Sequence, residues 1–196
     1  TVNDGVAAPK IIDFGIAKAT AQQLTDKTVF TSFSQFLGTP AYMSPEQVAL
    51  TSVDIDTRSD IYALGVLLYE LLTGQTPFDI KSLLAAGLDT MCRAIREQAP
   101  MRPSTRLRIM AQSELTTMAQ RRRLDPPKLI HLLRGDLDWI VLKSLEKDRN
   151  RRYETAHALA MDVQRHLRHE PILARSPSVL YVLRKFARRH RARLGV

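Results

Sequence analysis

Cysteine is nearly absent from this chain. Cys92 is the one such residue among 196, which excludes a disulfide framework and any cysteine-rich zinc site and suits a reducing compartment. There is no signal-peptide pattern and no apolar run long enough to cross a bilayer. Internal repeats are absent too. An initiator Met is missing, and the opening TVNDGVAAPK reads as the middle of something, so a fragment is expected. Acidic residues all but vanish towards the C-terminus: residues 163–196 hold nine Lys/Arg against Glu170 alone, whereas residues 1–162 hold 20 against 19. The net charge of +9 and the pI near 10.0 therefore describe a basic tail on a neutral body and say nothing about the body's partners.

What is present is ordinary for a globular protein, with 44% apolar and 25% charged residues in a chain of one-domain length. Asn3-Asp4-Gly5 is a hairpin-turn signal, because these residue types tolerate positive φ. Ile11 and Ile12 make a short strand that delivers Asp13. Residues 16–37, rich in Thr, Ser and Gln, read as a long exposed loop of the kind that is usually functional or disordered.

The clearest element is TRSDIYALGVLLYELLTG, Thr57 to Gly74. Thr57 and Asp60 have capping-box spacing, and Gly74 is a C-terminal stop. Ile61, Leu64, Val66, Leu67, Leu68, Leu71 and Leu72 cover more than one face, which predicts a helix buried at the centre of the fold. Leu84, Leu88, Met91 and Ile95 predict one amphipathic helix ended by Pro100 and Pro103. Residues 104–135, with Pro126-Pro127 as a break, give no clear pattern. DLDWIVLKSLEKD and TAHALAMDVQRHL predict two more helices. The second is capped by Thr155 and carries a stripe of Ala156, Leu159, Ala160, Val163 and Leu167.

Asp13-Phe14-Gly15 alone is a weak signal, and an isolated instance is more often an aspartate capping a turn after a strand. It is followed by GTPAYMSPEQ at Gly38 to Gln47 and by DTRSDIYALGVLLYELLTGQTPF at Asp56 to Phe78. In this order and spacing the chain resembles, over roughly residues 9–167, the C-terminal lobe of the eukaryotic-type serine/threonine protein kinases of bacteria. The wording around DKTVFTSFSQFLGTPAYMSPEQ and LDWIVLKSLEKDRNRRYET looks like their large multidomain members. The fold expected from the resemblance is mainly α: the C-lobe of the protein-kinase-like α+β fold, truncated, with a short N-terminal β-hairpin. Residues 1–168 would be the partial kinase domain and residues 169–196 a basic, juxtamembrane-like tail.

The resemblance also implies roles. Asp13 matches the carboxylate that places Mg²⁺ on the phosphates of ATP, a hard oxygen ligand of the kind magnesium takes. Phe14 matches the aromatic whose packing separates active from inactive states, and Gly15 gives the backbone freedom to switch. Thr39 matches the threonine that contacts the catalytic loop in serine/threonine kinases. Ser44-Pro45-Glu46 stands where the family usually has Ala-Pro-Glu. Glu46 then requires a cation, since an unpaired buried carboxylate is costly, and by position in KDRNRRY that cation is Arg152. Asp60 matches the aspartate that anchors the catalytic loop from the head of the central helix, while on sequence alone it is a good N-terminal helix charge. Residues 16–37 match the activation segment, with Thr28, Thr31, Ser32 and Ser34 as candidate phosphorylation sites and Lys18 as a candidate phosphate contact.

A protein kinase also needs a Gly-rich phosphate loop, a strand lysine paired with a helix glutamate, and a His-Arg-Asp catalytic loop. None occurs in these 196 residues. The resemblance places the catalytic loop just before Thr1. The expectation is therefore an active serine/threonine kinase as the parent, using Mg²⁺ and ATP on a protein substrate, with this chain alone inactive for want of its N-lobe and catalytic loop. A pseudokinase scaffold is the alternative.

The tail SPSVLYVLRKFARRHRARLGV interleaves Leu180, Leu183 and Phe186 with six Lys/Arg. Over 179–193 it suits an anionic membrane surface beside a cytoplasmic kinase region in a membrane-anchored parent. A solvated linker is the next reading, and nucleic-acid binding is the least favoured.

Overall fold

The computed structural model describes residues 2–3, 6–7, 40–49, 56–176 and 178–189. The chain divides into two compact units, residues 1–39 and 40–196. In the first, strand β1 (Val2–Asn3) pairs antiparallel with β2 (Val6–Ala7), Val2 opposite Ala7 and Asn3 opposite Val6. The strand expected at Ile11 and Ile12 and the loop expected over 16–37 lie outside the described residues.

The second unit is helical, in keeping with the mainly α expectation. A 3₁₀ turn, Pro40–Tyr42, leads into α1 (Pro45–Val48). Next come α2 (Thr57–Thr73), α3 (Ile80–Ala85), α4 (Leu88–Glu97) and α5 (Pro103–Ile109). They are followed by α6 (Gln112–Arg121), α7 (Pro126–Leu133), α8 (Asp136–Ser144), α9 (Ala156–Leu167) and α10 (Val179–Arg189).

Helix α2 organises the core, packing against α8, α5, α9 and the Pro40–Tyr42 turn. Its cap differs from the expected Thr57–Asp60 box. Asp56 is the N-cap, its carboxylate accepting from the Arg58 N–H at 2.7 Å, because a carboxylate one residue earlier closes the same turn. The helix ends at Gly74 with φ +74°, a conformation glycine adopts without strain. Arg122 then donates to the carbonyls of Leu71 and Leu72 at 2.5 and 2.8 Å, satisfying acceptors left over in the last turn. The expectation of burial all round is corrected. Ile61, Tyr62, Val66 and Tyr69 are buried, whereas Leu64, Leu67 and Leu71 are 39, 42 and 64% exposed. The packing elements named above cover one side of the helix and leave that stripe open.

Other expectations are corrected in register. The stripe from Leu84 to Ile95 is split between α3 and α4 by Gly87, whose φ is +111°, so Met91 and Ile95 are buried and Leu84 and Leu88 exposed. Residues 104–135 form most of three helices, and Pro103 and Pro126 start helices rather than break them, because a first-turn N–H has no intrahelical acceptor and its absence costs no helix bond. Thr155 does cap α9, accepting from the Ala158 N–H at 3.1 Å. The buried line of α9 runs through Leu159 and Asp162, while Leu167 is exposed.

Packing continues past residue 168. Ile172 and Tyr181 join Ile61, Ile140, Tyr153 and Leu159 in one apolar cluster. The Asp162 carboxylate accepts from the backbone N–H groups of Leu173 and Ala174, both at 2.8 Å. Asp136 accepts from Tyr181 at 3.0 Å and pairs with buried Lys185. The basic segment expected to be separate thus begins, through residue 185, as part of the packed body.

Candidate functional site

The site-forming feature among the described residues is the anchorage of residues 40–49. Ser44 caps α1 through Gln47, whose side-chain oxygen accepts from the Ser44 N–H at 2.8 Å and the Ser44 hydroxyl at 3.0 Å. Pro45 supplies a preset first helical residue. This turn directs Glu46 inward, where it meets Arg152. On the other side, Asp148 caps the Arg149–Arg151 3₁₀ turn by accepting from the Asn150 N–H at 2.9 Å, and the turn delivers Arg152 to the interior.

Arg152 has a fully buried side chain and Glu46 one that is 11% exposed. Their contact is bidentate: Nη1 to Oε1 and Nη2 to Oε2, each 2.7 Å. The remaining guanidinium protons reach the backbone carbonyls of Glu146 (2.7 Å), Arg58 (2.9 Å) and Lys147 (3.2 Å). All five donors of the group are therefore used. The guanidinium also lies 5.1 Å from the Tyr62 ring centroid. Ser59, buried on α2, donates its hydroxyl to Glu46 Oε1 at 2.7 Å. Burial opposes ionisation of Glu46, but the hydrogen bonds from Arg152 and Ser59 outweigh it and hold the pKa down at about 2. A second tie comes from Tyr42, which donates its hydroxyl to Glu70 on α2, a bond that pushes the phenol up to about 12.

The structure thus brings Glu46 and Arg152 together, 106 positions apart in the chain. Ser59, the Ser44–Gln47 pair and the Tyr42–Glu70 pair belong to the same anchorage, and sequence reasoning assigned none of these contacts. The Ser44-x-x-Gln47 spacing is a capping-box signal that could have found one of these pairs. Asp60 is exposed on the first turn of α2. Asp13, Phe14, Gly15, Lys18, Thr28, Thr31, Ser32, Ser34 and Thr39 lie outside the described residues. No group of three or more potential metal ligands gathers among the described residues.

Comparison with known proteins places this anchorage in context. The model of the protein kinase domain matches residues 2–170. Serine/threonine-protein kinase PknB of Mycobacterium leprae is 36% identical over 158 residues, covering 81% of this chain and 20% of that protein. PknB of Mycobacterium tuberculosis is 35% identical over 173 residues, or 88% of this chain and 22% of that protein. Serine/threonine-protein kinase pkn3 of Myxococcus xanthus is 34% identical over 146 residues, covering 72% and 24%. The chain thus spans only about a fifth of the length of the mycobacterial relatives it matches.

Proposed function

The chain belongs to the protein kinase domain family, and from that premise we propose that the protein containing it transfers the γ-phosphate of ATP to serine or threonine hydroxyls of proteins. The observation that carries the reading is the Glu46–Arg152 clamp. It fixes residues 40–49 to the helical body immediately after the Ser/Thr-rich segment 16–37. In this reading phosphate added at Thr28, Thr31, Ser32 or Ser34, with Lys18 as its cation, regulates the transfer, while the clamp keeps residues 40–49 on the helical body.

In this reading Asp13 holds magnesium, which supplies charge neutralisation on the transferred phosphate when bound. Its carboxylate suits that ion by chemistry, while its surroundings lie outside the described residues. Phe14 and Gly15 set its placement, Thr39 links the activation segment to the catalytic loop, and Asp60 holds that loop from the head of α2. The loop itself, the strand lysine and the Gly-rich strand pair come from sequence other than these 196 residues. Taken alone, the chain is therefore expected to transfer no phosphate, since positioning and electrostatics supply nearly all of the catalysis.

The test is phosphate transfer by the full-length protein to serine, threonine and tyrosine peptides. Asp13→Asn is expected to lower the rate on the order of 10²-fold or more and to leave the fold intact. A wild-type protein with no transfer, or a variant as active as wild type, would overturn the reading, and the first outcome favours a pseudokinase scaffold.

The tail supports a partner proposal of its own. Helix α10 docks through Tyr181 and Lys185, yet Val179, Leu180 and Leu183 are exposed, and residues 163–196 carry nine basic side chains against one acidic. Exposed apolar residues within a basic segment suit an anionic lipid surface, and nucleic acid less well. No described helix is long and apolar enough to cross a membrane. Sedimentation with phosphatidylglycerol vesicles, but not with phosphatidylcholine vesicles, is the expected result for the full-length protein. Equal sedimentation with both, or with neither, would discard the proposal.

A further inference from the structure

Lys147 occupies an unusual position beside the clamp. Its ammonium donates to the Ile95 carbonyl at 2.5 Å, in the last turn of α4, where intrahelical donors run out and a positive charge is favourable. The same nitrogen lies 4.7 Å from the Phe78 ring centroid and 5.9 Å from that of Tyr62. Its backbone carbonyl, in turn, accepts from Arg152 Nη2. One residue therefore touches both the end of α4 and the cation that grips Glu46. Helices α1 and α4 also pack directly against each other.

We propose that Lys147 is a positioning residue that ties helix α4 to the Glu46–Arg152 clamp, so that α4 and the α1 segment are held in one register. What that register serves rests on the kinase reading above, whereas the coupling itself does not. Burial, and then the like charge of Arg152, bring the Lys147 amine down to about 8. The folded state thus holds this cation against a desolvation penalty, which fits a group that fixes geometry better than one that adds stability.

Hydrogen exchange on the full-length protein tests the coupling without requiring activity. The reporters are the Gln98 amide at the end of α4, bonded to the Ala94 carbonyl, and the Val48 and Ala49 amides at the end of α1. Lys147→Met keeps the apolar stem and removes the charge. Exchange is expected to rise roughly fivefold or more at both ends, while the melting temperature moves by less than about 4 °C. Lys147→Arg is expected to restore protection at both ends. A rise at Gln98 alone would reduce Lys147 to a cap of α4, and no rise at either end would remove the role altogether. A methionine variant that unfolds, or melts far lower, would show a structural group and overturn the proposal as well. Should phosphate transfer fail in every form while the paired rise persists, the coupling stands and the kinase reading falls.

Discussion

Gly65 and Ser144 are in contact where helices α2 and α8 cross. A Cβ built on Gly65 would lie 2.6 Å from the Ser144 Cβ and 3.2 Å from a methyl of Leu145. The absent side chain sets how closely the central helix approaches its main partner. Both atoms nearest the site belong to short or buried groups, and Ser144 is further held by its hydroxyl bond to the Ile140 carbonyl at 3.0 Å.

Gly65→Ala is therefore expected to push α2 and α8 apart and destabilise the protein by about 1–3 kcal/mol, despite alanine's better helix propensity. Adding Ser144→Gly opens the same space, so the double variant should lose less than the two single losses combined. Chemical unfolding of all four proteins checks this. Strict additivity would mean that the contact has no energetic weight.

Removing Arg152 leaves Glu46 as a carboxylate with Ser59 as its remaining side-chain partner. Arg152→Met should destabilise by about 3–5 kcal/mol. Glu46→Gln with Arg152→Met should recover part of that loss, because no unpaired charge then remains. Urea unfolding monitored by circular dichroism separates the two cases. A double variant no better than Arg152→Met would assign the loss to packing against Tyr62.

Acid should loosen the protein in a defined window. Glu46 and Asp136 both have folded-state pKa values of about 2, below their ordinary values of 4.5 and 3.8. Burial resists ionisation at Asp136 too, and it is outweighed by the bonds from His166, Lys185 and Tyr181. Between those limits the unfolded chain binds more protons, so the stabilisation is complete above about pH 5 and is lost as pH falls towards 2. Each group contributes roughly 2–3 kcal/mol. Urea midpoints at pH 7, 4 and 3 should fall steeply for the wild type and less for Glu46→Gln/Asp136→Asn. Parallel slopes would place the acid sensitivity elsewhere.

Helix α2 was legible from sequence because it has dense apolar residues, an acidic head and a glycine stop, all local signals. Glu46 and Arg152 could be named because each sits in a motif of recognisable spacing, and the structure joins them at 2.7 Å. The buried acids were not legible. Asp136, Asp138 and Asp162 look like ordinary helix-surface charges, and their partners arrive from distant segments, as when Asp138 receives the Ser104 N–H and hydroxyl at 2.9 and 2.7 Å. The break at Gly87 was hidden because the apolar spacing runs across it unbroken. The open stripe of α2 was missed for a related reason. Composition tells how apolar a helix is, and what covers each face is decided by the rest of the chain.

The basic stretch looks severable on composition, since the charge balance changes abruptly near residue 163. Chemistry draws the line elsewhere. A gene product shortened at residue 168 would lose the two backbone donors to Asp162 and the Tyr181 and Lys185 donors to Asp136, leaving Asp162 with Tyr153 and Arg165 and Asp136 with His166. In modular terms, the smallest heritable unit of this lobe includes its first basic residues, and recombination that separates them from α8 and α9 would yield a poorer protein.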